Sequence, residues 1–159
     1  MGRGVRVLHL HLHGLFRSRD LELGRDADTG GQTLYVLDLV RSLAQRPEVE
    51  RVDVVTRLVQ DRRVAADYGR PVELIAPGAR ILRFPFGPKR YLRKEQLWPH
   101  LEDLADQVVY HLNQPGQEVD WIHAHYADAG FVGALLSQRL GLPLVFTGHS
   151  LGREKQRRL

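Results

Sequence analysis

The residues best suited to chemistry fall in four stretches. The first runs from Gly24 to Leu37, GRDADTGGQTLYVL, where polar loop residues pass through Gly30 and Gly31 into Val36, Leu37, Val40, Leu43 and Ala44 at helical spacing. The glycine pair therefore sits at a helix N-terminus, where unsatisfied N–H groups and the positive end of the helix dipole collect and where the lack of a Cβ lets an anion approach the main chain. A phosphate-bearing ligand suits that place; a tight strand-to-helix turn is the alternative. The second stretch is a basic loop, GPKRYLRKEQ, that carries Lys94, the third is HAHYADAG with Tyr126, and the fourth is GHSLG with His149 and Ser150. Asp26 and Asp28 in the first stretch either hold their loop through Asx turns or touch a ligand. His9, His11 and His13 alternate, so in an extended chain their imidazoles share one face, which is how some metal hydrolases present zinc ligands. That chemistry asks for further ligands and, in its usual barrel, for a chain of roughly 200 residues or more.

The elements that must position these residues follow from hydrophobic pattern and punctuation. Val5 to Leu10 reads as a buried strand, and the long connection from residue 11 to 29 suggests a loop that touches something. A helix from Gly31 to Arg46 stops at Pro47, and Val52 to Thr56 is a second strand. Residues 57–80, with Pro71, Pro77 and Gly78, read as an excursion of little regular structure before a strand from Ile81 to Phe86. Leu101, Leu104, Ala105, Val108 and Leu112 keep helical spacing. Asp120 to Ala124 is a short strand with His123 buried in it, followed by a helix in which Gly130 and Gly133 allow close approach to the sheet. Gly141 ends that helix, and Leu144 to Thr147 is the fifth strand. This order predicts an α/β fold, a Rossmann-like, doubly wound and mainly parallel sheet. All four stretches then follow strand carboxyl ends, where such sheets bind ligands. Neither GxGxxG nor the Walker pattern is present.

Composition narrows the classes. With 159 residues, 43% of them hydrophobic and 26% charged, the chain is one domain's worth of ordinary globular material. The absence of cysteine removes disulfides, thiolate metal sites and cysteine nucleophiles. The net charge of +4 is spread over arginines scattered among acids, with one dense run from Arg153 to Arg158, so nucleic acid is not an expected partner. No apolar run approaches the roughly 20 residues that span a bilayer, and VLHLHL lacks the marks of a signal peptide, so no membrane partner and a cytoplasmic address are expected.

HGLFRSRDLELGRDADTGGQTLYVLDLVRSLA, with YLRKEQLWPHL, HAHYADAG and TGHSLGREK in the same order, resembles the start of the catalytic region of the sucrose-phosphate synthase family, to which the sucrose synthases are close relatives. The resemblance covers nearly the whole chain. It implies a retaining glycosyltransferase of GT-B architecture, two facing Rossmann-like domains, with residues 1–159 the truncated N-terminal, acceptor-side domain and the nucleotide-binding C-terminal domain a missing partner. The implied substrates are UDP-glucose and fructose 6-phosphate. By the same resemblance, Gly30, Gly31 and Gln32 line the cleft where acceptor sugar and donor diphosphate meet, Lys94 faces the acceptor phosphate and Tyr126 contacts the acceptor. His149 and Ser150 lie beside the transferring sugar, with His149 the catalytic candidate. No metal site is implied, nor any cofactor, with magnesium at most a stimulant of the parent enzyme. The family's HYxDGG reads HYADAG here, so Ala129 replaces a glycine. Sucrose synthase, a non-catalytic phosphosugar-binding module and a hydrolase built on His9, His11 and His13 are the alternatives.

Overall fold

The computed structural model describes residues 2–149. Its elements run β1 (Val5–Leu10), α1 (Gly31–Ala44), β2 (Val49–Arg57), β3 (Val72–Ala76), β4 (Ala79–Phe84), α2 (Leu101–Leu112), β5 (Trp121–His125), α3 (Tyr126–Leu140) and β6 (Leu144–Thr147), with short 3-10 turns at Ala66–Gly69, Lys94–Gln96 and Trp98–His100. Six strands form one sheet in the order β3-β4-β2-β1-β5-β6. Every neighbouring pair is parallel except β3 with β4. The expected mainly parallel, doubly wound α/β architecture is therefore present, in three layers.

The pleat sorts the core. On β1, Leu8 and Leu10 point to the face covered by α2 and α3, where Leu101, Leu104, Val108, Val132 and Leu136 pack against them. The opposite face, with Val52, Val54 and Ile81, receives Val36, Leu37 and Val40 of α1. β1 connects through α1 to β2 on one side and β5 through α3 to β6 on the other, so the winding reverses at the β1–β5 boundary. That crevice is where open α/β sheets take ligands. A Cβ on Gly133 would lie 2.8 Å from Leu144 Cδ1 and one on Gly130 would lie 2.7 Å from the Phe146 ring, so α3 does approach the sheet as closely as its glycines imply.

One element was not expected. The excursion at 57–80 contains β3, an edge strand joined to β4 through Pro77 and Gly78. Its alternation reads backwards: Val72 and Leu74 face out at 56% and 67% exposure, while Glu73 turns inward to accept from the buried Arg83 guanidinium at 2.8 Å. Only Ile75 and Ala76 turn to the core, partly buried, so the strand gives a weak inward hydrophobic signal. The neighbouring boundaries shift accordingly: β2 extends to Val49 and Arg57, β4 spans Ala79–Phe84 instead of ending at Phe86, and α1 ends at Ala44, ahead of Arg46.

Two buried arginines tie down the connections. Arg57 at the end of β2 donates to the carbonyls of Pro88 (2.6 Å) and Arg90 (2.5 Å), so the basic loop is anchored by its backbone. Arg83 donates to the carbonyls of Phe16 (2.8 Å) and Arg70 (3.1 Å) and so holds the loop after β1 near the β3–β4 hairpin. Charge-assisted bonds of this kind are the strong ones. No described helix is long and apolar enough to cross a membrane.

Candidate functional site

The loop after β1 is built around its acids. Asp26 Oδ1 accepts from the N–H groups of Asp28 (2.9 Å) and Thr29 (3.1 Å), an Asx turn, and also from the Tyr91 hydroxyl (2.8 Å) in the basic loop. Asp28, only 7% exposed, accepts from the Lys94 backbone N–H at 2.7 Å, and its other oxygen lies 3.7 Å from Lys94 Nζ. Two segments more than sixty positions apart are thus cross-tied. The turn is tight enough that a Cβ on Gly14, at φ +77°, would fall 2.3 Å from the Asp28 carbonyl oxygen.

Above the strand ends this frame leaves an open pocket of about 270 Å³ whose walls include Gly30, Gly31, Gln32, Lys94, Tyr126 and His149. The fold thus brings together in one place the residues singled out by sequence. Ser150 lies outside the described residues. Gly30 caps α1 with an extended backbone (φ −121°, ψ −154°) and no side-chain cap, and neither glycine has the positive φ that a turn would require. A Cβ added to Gly30 or Gly31 would meet nothing within 4 Å. Packing therefore does not require these glycines, and with no Cβ they leave the N-terminal turn of α1 uncovered.

Lys94 reaches the pocket with its Nζ 5.3 Å from the centroid of the Tyr126 ring. Tyr126 opens α3 at φ +76°, a conformation costly to a residue with a Cβ. Its ring also meets His13 edge-on at 5.0 Å between centroids. His13 is held by Asp128 (Nδ1 to Oδ2, 2.9 Å), with both side chains buried. Sequence reading gave neither Asp128 nor His13 that supporting role, and the only available signal was the common position of their segments at strand ends.

The three alternating histidines of the first strand do not assemble as a ligand set. His11 pairs its Nδ1 with the Gln32 amide at 2.8 Å and His13 goes to Asp128. His9 meets the neighbouring strand instead, where its register partner His123 and then His125 follow. Nitrogens of His9, His123 and His125 lie within 4.8 Å of one another. The His125 ring, however, lies within 13° of the plane of His9 and 20° of that of His123, with centroids 5.1 and 4.2 Å away. The first pair is coplanar and edge to edge, with His9 Nδ1 2.8 Å from His125 Nε2, and His123 Nε2 is taken up by Thr147, so these nitrogens are turned to hydrogen-bond partners and not to a common ion. His123 is half-buried, not fully buried as expected, and shares a 2.7 Å bond with Thr147 Oγ1. Burial lowers His9 to about 3 and His125 to about 2, and it also depresses His11, His123 and His149. Near neutral pH these rings are uncharged imidazoles.

Lysine supplies a cation, the helix end a set of N–H donors and the neutral imidazoles directional hydrogen bonds. Such a set has the chemistry to meet a phosphorylated, hydroxyl-rich molecule. Residues 30–159 match the glycosyl transferase 4-like domain family. Over 99% of its length the chain is 43% identical to a probable sucrose-phosphate synthase 1 from Citrus unshiu, and equally to sucrose-phosphate synthase 1 from Arabidopsis thaliana. It spans 18% of the length of each. Among solved structures it resembles a sucrose-phosphate synthase from Thermosynechococcus elongatus, with a TM-score of 0.77 and 27% identity over 96% of this chain and 35% of that one.

Proposed function

The chain belongs to the glycosyl transferase 4-like domain family, and on that premise we propose that it is the acceptor-side Rossmann-like domain of a sucrose-phosphate synthase. The parent reaction transfers glucose from UDP-glucose to fructose 6-phosphate with retention, yielding sucrose 6-phosphate and UDP. In this reading residues 1–159 supply one wall of the cleft, a second Rossmann-like domain carries the nucleotide, no cofactor takes part, and the enzyme works in the cytoplasm.

The observation that carries the proposal is the pairing of Lys94, steered by Asp28 at 3.7 Å, with the uncovered glycines of α1 across one pocket. The ammonium neutralises the acceptor phosphate, and the helix end stabilises the negative charge that grows on the departing diphosphate, the term that most lowers the barrier in such transfers. His149, uncharged, contacts the glucose as it moves. The cation also separates this reading from an enzyme for free fructose, which has no phosphate for Lys94 to meet.

The test is an assay of UDP release by the full-length parent enzyme. With UDP-glucose present, fructose 6-phosphate supports turnover at concentrations at which free fructose gives at most about a tenth of the rate. Equal rates with both sugars, or a preference for fructose, would transfer the assignment to sucrose synthase.

A further inference from the structure

Two histidines behind the pocket form a chain with His149 in its wall. His9 Nδ1 lies 2.8 Å from His125 Nε2, and His125 Nδ1 lies 3.0 Å from His149 Nε2, so three imidazoles link the fully buried centre of β1 to the pocket wall. A neutral imidazole has one N–H and one lone pair. His125 uses both nitrogens, so it must donate in one direction and accept in the other, and all three rings are committed to a common direction. If the bonds run inward, His149 Nε2–H donates to His125, His125 donates to His9 Nδ1, and the proton of His9 stands on Nε2. That nitrogen is buried and has no partner among the described residues. If they run outward, His9 Nδ1–H donates to His125, His125 Nδ1–H donates to His149, and Nε2 of His9 is left as a bare lone pair. Buried N–H groups without an acceptor are the rarer defect, whereas an under-used acceptor is tolerated more often.

We propose that His9 is a positioning residue: through the buried ring of His125 it holds His149 in the tautomer protonated at Nδ1, so that the pocket is offered an N–H donor. The low affinity of the buried rings for protons keeps the chain uncharged and its direction intact. His149 then accepts at Nε2 and carries its proton on the nitrogen that the chain leaves unused. A ring in that state donates to a hydroxyl or phosphate oxygen and has no lone pair with which to take a proton from one. What the donor meets, an oxygen of the transferring sugar, rests on the function proposed above, whereas the tautomer itself does not.

The experiment is therefore spectroscopic and needs no turnover. Two-bond 15N–1H correlation spectra of 15N-histidine-labelled protein, with His149 assigned by its loss in His149→Ala, report which nitrogen of each ring is protonated. At pH 7 His9, His125 and His149 should each show a protonated Nδ1 and a bare Nε2. In His9→Leu the chain loses its source, and His149 Nε2 shifts from the bare position towards the average of the two tautomers. In His9→Asn the amide nitrogen takes the place of Nδ1 and donates in its stead, which restores the single tautomer. A protonated Nε2 on His149 in the unsubstituted protein would overturn the proposal, as would an unchanged His149 in a folded His9→Leu protein. If the leucine variant does not fold, the unsubstituted and asparagine spectra decide.

Discussion

At the scale of the residue, the sharpest expectation concerns Lys94. In the full-length parent enzyme, Lys94→Ala should raise KM for fructose 6-phosphate about tenfold to a hundredfold, the equivalent of a charged hydrogen bond of roughly 1.5–3 kcal/mol. KM for UDP-glucose should change by less than about twofold, because the lysine faces the acceptor. Initial rates with each substrate varied in turn give the answer, and equal losses for both would make Lys94 a structural lysine. Asp28→Asn should produce the same selective effect at smaller size, since it loosens the ammonium without removing it. The glycine pair stood out in the sequence because it opens a helical pattern, and Lys94 because its segment resembles the family's, and the fold sets all three on one pocket. The role of Asp28 was not legible, because nothing in DADTGG says that its carboxylate will cap a segment sixty-six residues away. The imidazole chain was hidden for the same reason: HLH and HAH look like two unrelated strand ends until the register sets His9 beside His123.

Two glycines at the scale of the element make opposite predictions from the same substitution. Gly31 opens α1 with free space where a Cβ would go, so Gly31→Ala should stabilise the fold by about 0.4–1 kcal/mol, because alanine has less freedom to lose. The added methyl group stands where a ligand must approach the helix N-terminus, and turnover of the parent enzyme should fall at least about tenfold. Higher Tm with intact activity would mean that no ligand comes close to that turn. Gly133 faces Leu144 Cδ1 at 2.8 Å and Ala124 Cβ at 3.2 Å, and Gly133→Ala should cost about 1–3 kcal/mol by pushing α3 off the sheet. Calorimetry on both variants measures the contrast, and a Gly133→Ala protein as stable as the parent would show that the helix can shift freely. The helices and the inner parallel strands were readable because their apolar residues point inward at the right period, and β6 because it is a short apolar run opened by Pro143. β3 was not, because Glu73 turns inward while Val72 and Leu74 face water, leaving only Ile75 and Ala76 on the core side.

For the whole molecule, the buried histidines govern behaviour in acid. Above about pH 6.5 they are neutral whether the chain is folded or unfolded and contribute nothing to pH dependence. As pH falls below that value the unfolded chain takes up protons that the folded one refuses, so stability is lost down to the folded-state values, about 3 for His9 and about 2 for His125. At pH 5 His9 and His125 each cost about 2 kcal/mol, about 4 together, and the depressed His11 adds to the loss, against a total stability of roughly 5–15 kcal/mol. Thermal melts followed by circular dichroism should therefore give a Tm that is level between pH 7 and 8 and falls steeply below 6; a level midpoint down to pH 5 would contradict the burial of these rings as neutral groups. The same strand has a consequence during synthesis. β1 is the centre of the sheet, yet its second neighbour, β5, begins about 110 residues after β1 ends. At the ribosome's pace of roughly 5–20 residues per second, β1 waits on the order of ten seconds with one edge unfilled. A strand of unbroken valine and isoleucine would spend that time as a template for aggregation. His9, which meets His123 and His125 of β5, puts a polar ring on one face of the waiting strand, so a residue that burdens the finished protein in acid also works against such pairing while the strand waits.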